Sequence, residues 1–598
     1  MEPMIRHIKR YSLTASLVLL SACGSLGATM PAVPAIPPPA IRNLAAAADP
    51  IDPARSDLPE PQADIQYANF PEDVLTRVIL AEMAGQRGLN QQALEEYSAL
   101  ARETRDLNIV KRAARISAFL RNNPVSIEMA ELWLELEPDA PEAHQTLALQ
   151  LIALNRYREA LSHFTRLLEL ERDVDFRLIS GRTALDNDAT LILDGLISDF
   201  EALVQRFPDN ESAQLSLAHL YQQNKQYQLA YERVRDLAKK MNDAPEVVIL
   251  EVQLLEMLGE EAHAVRRLQQ SLRNNPQHKQ LRFLYARKLV EEKKYQAAQT
   301  QFALIVEQNP DDYDMLYSLA LISMEIQLYS DARVYLQTLV DNGQRLDDAH
   351  FYLAFLSEQD NQAEQAIEHY LQIKSGSNFL QAQRNLTELM IKAGRYPEAR
   401  ERLLSIRYTN PDYNIPLLTM EASVLMDEGY TQESAKILDS AIAAFPNNVQ
   451  LLFLRSVLNQ ELNHLDLMEH DLRKVIQLNP ESPVAYNSLG YTLADRTTRY
   501  QEAYELIRRA IELAPNDPAI IDSLGWVQYR LGMLDEAQVN LERAFELFPD
   551  HEVAAHLGEV LWVKGEHSEA NKIWRNALKL QPDSAPIKNA IQRLSPEN

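Results

Sequence analysis

From Pro71 onward the apolar positions recur at helical spacing, and the pattern as a whole returns about every 34 residues. Ala230, Ala264, Ala298, Ala332 and Ala366 mark one ladder, continued by Ala399, Ser434, Ala503, Ala537 and Ala570. A second ladder of small residues runs twelve positions earlier through Ala218, Ala286, Ala320, Ala354, Ala422, Gly525 and Gly558, with Gly490 thirteen before Ala503. A third, twelve positions later, is proline: Pro276, Pro310, Pro411, Pro446, Pro515, Pro549 and Pro582.

Each period therefore predicts two antiparallel helices whose backbones approach closely at the small residues. The proline follows the second helix because it cannot continue one. Four residues past the second small position a bulky group returns on the same face (Tyr97, Phe164, Phe302, Tyr370, Leu403, Leu541, Trp574), placed to fill the gap between neighbouring units. The pattern is poor at 174–208. Met468 occupies a slot where Ala is expected, and RTTRY at 496–500 adds a residue to a turn. The final PIKNAIQRL reads as a capping helix, because a terminal unit otherwise exposes its apolar face.

Ahead of the array the text changes. Arg6, Lys9 and Arg10 precede an apolar run from Ser12 to Leu20, too short to cross a bilayer and shaped like a secretory signal. Leu20-Ser21-Ala22-Cys23 follows, holding the one cysteine of the chain, and it resembles the lipobox of bacterial lipoproteins. That resemblance implies cleavage before Cys23 and acylation of it, and Gly24 in place of Asp implies the outer membrane. The bland alternatives are a signal peptide with an incidental cysteine and a buried cysteine in a core. Residues 24 to about 68 are rich in Pro and Ala and carry no period, so a coil spanning roughly 35 to 40 Å is expected between anchor and array. The expected organisation is a signal peptide at 1–22, a lipidated Cys23 with a disordered tether at 23–69, helical repeats at 70–582 and a capping helix with tail at 583–598.

Composition narrows the chemistry. Gly is scarce at 16 residues and the formal charge is −26, which disfavours nucleic acid and anionic membrane as partners. Removing residues 1–22 takes away three basic residues and one acidic residue and makes the remainder more acidic still. With a single cysteine no disulfide can form, so packing alone must hold the fold.

The array resembles the tetratricopeptide repeat, through Leu489-Gly490, Leu524-Gly525 and Leu557-Gly558 and through the Ala and Pro ladders. The resemblance implies an all-α superhelical solenoid of about 13–15 helix-turn-helix repeats, with the first helix of each lining a concave wall. In the family's register the inward positions are the third before the first small residue, the next after it, and the fourth after it. Carried onto this chain they include Phe283, Arg287, Tyr317, Met324, Phe351, Phe355, Asn487, Tyr491, Asp522, Trp526, Tyr529 and Trp562. Aromatic residues and Met there suit peptide capture, although packing of helix on helix explains the same residue types.

No catalytic centre is expected. His551-Glu552-Val553-Ala554-Ala555-His556 looks like a zinc-protease motif but is one residue too long, which turns the second imidazole about 140° away on a helix. There is no phosphate-binding glycine loop, no G-x-S-x-G and no CxxC, so neither cofactor nor metal is expected.

The stretch PEDVLTRVILAEMAGQRGLNQQALEEYSALARETRDLNIVKRAARISAFL resembles the start of the long lipoproteins that bind the carboxy-terminal processing protease (LbcA-like), as does LGYTLADRTTRYQEAYELIRRAIELAPNDPAIIDSLGW near the end. The resemblance implies a non-catalytic adaptor at the periplasmic face of the outer membrane. It would dock and activate a periplasmic serine protease and deliver peptidoglycan hydrolases to it. The alternative is a structural scaffold lipoprotein for an envelope assembly such as a pilus secretin or a polysaccharide exporter.

Overall fold

The computed structural model describes residues 71–185 and 192–594. The expected signal peptide, Cys23, the expected tether and the last four residues lie outside the described residues. Among the described residues there are 31 α-helices, one short 3-10 turn and no strand. Thirty of the helices form fifteen consecutive pairs from Glu72–Gln86 with Asn90–Thr104 to His551–Val563 with His567–Leu580, and Ala585–Leu594 follows. The all-α repeat architecture expected from the ladders is the one observed. Residue contacts divide the chain into two compact units, 1–301 and 302–598.

The local reasons are those of the sequence. Each proline of the third ladder falls two residues after the end of a second helix, as Pro276 does after Glu261–Asn274 and Pro515 after Tyr500–Leu513. Several first helices begin on polar caps: the Asp106 carboxylate accepts from the amides of Asn108 and Ile109 at 2.9 and 3.1 Å, and Asn210 accepts from Ala213 at 2.8 Å. Between the two helices of a pair the chain passes through one left-handed residue, at Lys225, Gly259, Lys293, Gln327 and Asn361 with φ between 58° and 74°. That residue ends the first helix and reverses the chain in the smallest space.

The small residues sit where the helices touch. Ala218, Ala230, Ala264, Ala286, Ala332 and Ala354 are fully buried. At Gly490 an added Cβ would lie 2.6 Å from the Ile507 side chain and 3.0 Å from the Ala503 carbonyl, and at Gly525 2.6 Å from Leu541. At Gly558 it would overlap the Trp574 indole. Ser434 occupies the same slot by turning its hydroxyl back to the Ala422 carbonyl at 2.9 Å. Met468 is buried with Leu472 and Leu489, so the larger side chain is absorbed into the core.

At 174–208 the array departs from its pattern because the first helix shrinks to Arg177–Thr183. Aromatic packing replaces the missing length: Phe176 meets Phe164 and Phe200 edge to face, each at a centroid distance of 6.0 Å. At the other end Ala585–Leu594 packs on His551–Val563, and its Ile587 and Ala590 join the buried cluster that holds Trp574 and Ala577. No helix among the described residues is long and apolar enough to cross a membrane.

One recurrent element has no ladder in the sequence. Four residues before the first small position, a polar side chain reaches back to the carbonyl of the proline six residues earlier: His144 to Pro138 at 3.0 Å, Gln214 to Pro208, and Arg282 to Pro276. The same position meets the residue nineteen further on, in the second helix. Arg282 donates to Gln301 at 2.7 Å, and Arg402 donates to Gln383 at 3.0 Å. A cross-helix clasp thus ties the two helices of several pairs near the start of the first one.

Candidate functional site

The first helices Leu107–Phe119, Pro141–Ala153, Arg177–Thr183 and Glu211–Gln223 touch in succession and form one face. In the N-terminal unit this face opens into a cavity of about 630 Å³. Its lining includes Trp133, Phe164, Leu149 and Leu178, with Lys111, Glu137, Glu142, Arg172 and Asp175 among its polar members. The Trp133 indole donates to Glu137 at 3.0 Å, while Lys111 pairs with the same carboxylate at 2.8 Å and lies over the indole ring at 5.2 Å. Those hydrogen bonds, Lys111 first, hold the Glu137 carboxyl below the usual range. Leu149 and Leu178 remain exposed at the cavity mouth. Apolar floor, anchored indole and charged rim are the make-up of a peptide-binding groove.

Apart from Phe164, expected only as a filler between units, none of these residues stands out in the sequence, yet the register could have found three of them. With Ala114 and Ala148 as small positions, the third before and the next after give Lys111, Gln145 and Leu149, all of which line the cavity. Trp133 lies on a second helix and carries no such signal.

In the C-terminal unit the structure gathers four of the expected residues around one histidine. His556 Nδ1 lies 3.0 Å from Asp522, and its ring stacks on Trp526 at 4.2 Å. Tyr491 approaches the imidazole at 6.1 Å, and Tyr529 packs on Trp526 at 5.2 Å. Burial alone would lower the His556 pKa. The charge and hydrogen bond of Asp522, with Glu552 and Glu559 behind, outweigh that and hold it above the ordinary value. Burial pushes the Tyr491 hydroxyl well up, and Glu559, paired with Arg593, is likewise raised. Three polar atoms here are buried without a partner: Trp526 Nε1, Asn487 Oδ1 and Glu559 Oε2. An unmade hydrogen bond of this kind costs about 1–3 kcal/mol.

The remaining expected residues are placed differently. Tyr317 and Met324 are buried in the core of their pair, with Arg345 over the Tyr317 ring at 4.7 Å. Phe351 packs edge to face on Tyr352 at 5.4 Å, and Phe355 is half-buried beside it. Arg287 pairs with Glu256 at 3.4 Å, and Phe283 is half-buried on the same helix. Trp562 stacks on His567 at 4.2 Å and on Trp574 at 5.8 Å. The two histidines of the zinc-like motif face different partners, His551 meeting Ser584 and His556 meeting Asp522. Among the described residues no group of three His, Cys, Asp or Glu converges for a metal.

Paired helices, close small-residue contacts and an open first-helix face define a tetratricopeptide-repeat protein, a class built to bind other proteins. The tetratricopeptide repeat profile matches residues 258–322 and 483–517. The chain belongs to the tetratricopeptide-repeat family represented by the TPR repeat-containing protein PA4667 of Pseudomonas aeruginosa, with which it is 36% identical over 83% of each chain. The human protein O-mannosyl-transferase TMTC1 is 24% identical over 32% of this chain and 22% of its own length. Among solved structures, the thermophilic TPR protein TTC0263 of Thermus thermophilus is 17% identical, covers 30% of this chain and 96% of its own, and gives a TM-score of 0.27.

Proposed function

We propose that the chain is a non-catalytic adaptor, anchored through Cys23 to the periplasmic face of the outer membrane. It docks and activates a carboxy-terminal processing serine protease and presents peptidoglycan hydrolases to it. The observation that carries the binding role is the Trp133 groove, where an apolar floor of repeat residues stays open beside an anchored indole. The resemblance of the segment from Pro71 to Leu120 to the protease-binding lipoproteins supports the choice of partner, and the lipobox-like stretch ending at Cys23 supports the anchor.

The test is reconstitution. Purified full-length protein is mixed with the protease of its own cell, and cleavage of a peptidoglycan hydrolase is followed in time. The adaptor role requires no cleavage by the chain alone and faster cleavage by the mixture. A protease indifferent to the chain, together with co-purification of a secretin or export pore, would leave the structural-scaffold reading in its place. For the anchor, Cys23→Ala should move the protein from the membrane to the soluble fraction without loss of helicity.

A further inference from the structure

In two pairs, one in each unit, the clasp position holds two histidines. His144 Nδ1 lies 2.9 Å from His163 Nδ1, and His350 Nδ1 lies 3.0 Å from His369 Nδ1. The register is the same: the first histidine is four residues before the small residue of its helix (Ala148, Ala354) and the second is three after that of the next (Ala160, Ala366). The rings are tilted by 41° and 39° with centroids 5.2 and 5.3 Å apart, so they converge through their Nδ1 edges and do not stack.

The hydrogen bonding fixes one tautomer. A carbonyl only accepts, so His144 must carry its proton on Nε2 to meet Pro138, which leaves Nδ1 with a bare lone pair aimed at His163. An imidazole whose distal N–H is held by a backbone carbonyl is the usual arrangement of a metal ligand.

We propose that each histidine pair is a site for one borderline divalent transition-metal ion, of the zinc, nickel or copper(II) kind, held between the two Nδ1 atoms. Tetrahedral zinc at 2.0–2.1 Å from each nitrogen sets them about 3.3–3.4 Å apart and lies about 35° off the line between them, so each ring has to give a few tenths of an ångström and turn by about that angle. In the first pair the ion takes the place of the proton on His163 Nδ1, which moves to Nε2 of the same ring, so no net proton is released at neutral pH. With no third protein ligand among the described residues, water completes the shell and the ion exchanges readily. Imidazole donors select this class of ion over magnesium or calcium.

The clasps elsewhere in the array supply variants that keep the fold. His144→Arg with His163→Gln copies the Arg282–Gln301 clasp, and His350→Gln with His369→Arg copies Gln383–Arg402. Equilibrium dialysis of the full chain against zinc chloride at pH 7.5 should show two more ions per chain than the fourfold variant binds. Each twofold variant should lose one. Zinc should raise the melting transition of the unaltered chain and leave that of the fourfold variant unchanged. Equal uptake by the unaltered chain and the fourfold variant, or no uptake by the former, overturns the proposal.

Discussion

At the scale of single residues, the glycines of the last three pairs carry the sharpest demand. Gly490→Ala forces a methyl against Ile507 and the Ala503 carbonyl, and the carbonyl cannot yield. We expect a loss of about 1–3 kcal/mol, read as faster amide exchange in Pro483–Arg496 and Tyr500–Leu513 with the rest of the array unaffected. His556 gives a pH signature. Because its folded pKa is raised, the stability from its pairing with Asp522 is fully present below about 6.5, the ordinary value, and is lost as pH rises through the raised one. Asp522→Asn should therefore lower the melting temperature more at pH 6 than at pH 9, and Trp526 emission, reporting on the stacked imidazole, should shift its titration to lower pH. His163, His350 and His369 act in the opposite sense. Their lowered values add no cost above about 6.5, and destabilise progressively as pH falls below it.

At the scale of the helix pair, the turn is the tunable part. Lys225, Lys293 and Gln327 hold the left-handed conformation that Gly259 and Gly532 hold without strain. Lys293→Gly should relieve about 1 kcal/mol of backbone strain, offset in part by the added freedom of the unfolded chain. The net gain is checked by urea denaturation beside a surface control such as Lys279→Gln. This scale also shows what the text could convey. The Ala, Gly and Pro ladders encode contacts within one pair at fixed spacing, so the close approach at Gly525 and the place of Pro515 after its helix were readable directly, whereas Leu541, expected to fill the gap between units, packs on Gly525 of its own pair. Whether an inward position stays open depends on what covers it from the neighbouring pair. Tyr317 and Asn487 share one register position, yet the first vanishes into its core while the second is half-buried. The clasp escaped notice because its members differ in type, Arg–Gln in one pair and His–His in another, and only their geometry is constant.

At the scale of the whole molecule, the Trp133 groove is open to a partner, whereas the His556 cluster is buried. Trp133→Ala should weaken capture of a protein partner at least tenfold, measured by biolayer interferometry, with helicity retained. Trp526, buried in its cluster, is the contrast: Trp526→Ala should lower the melting temperature and leave capture at the Trp133 groove unchanged. An array in which each pair leans mainly on its neighbours should also unfold in parts. Ellipticity at 222 nm and tryptophan emission are then expected to give transitions that do not coincide within one denaturation curve.

The reversal through one left-handed residue, repeated with hardly a change in loop length, has a consequence for how such a chain can grow or shrink. Excision from one turn to the equivalent point of the next, for instance residues 259–292, removes one whole module and brings like surfaces back together. A cut of ten residues anywhere would leave two helices facing the wrong way. Reach is therefore quantised, and a lineage adjusts it by duplication or loss of modules and not by gradual trimming.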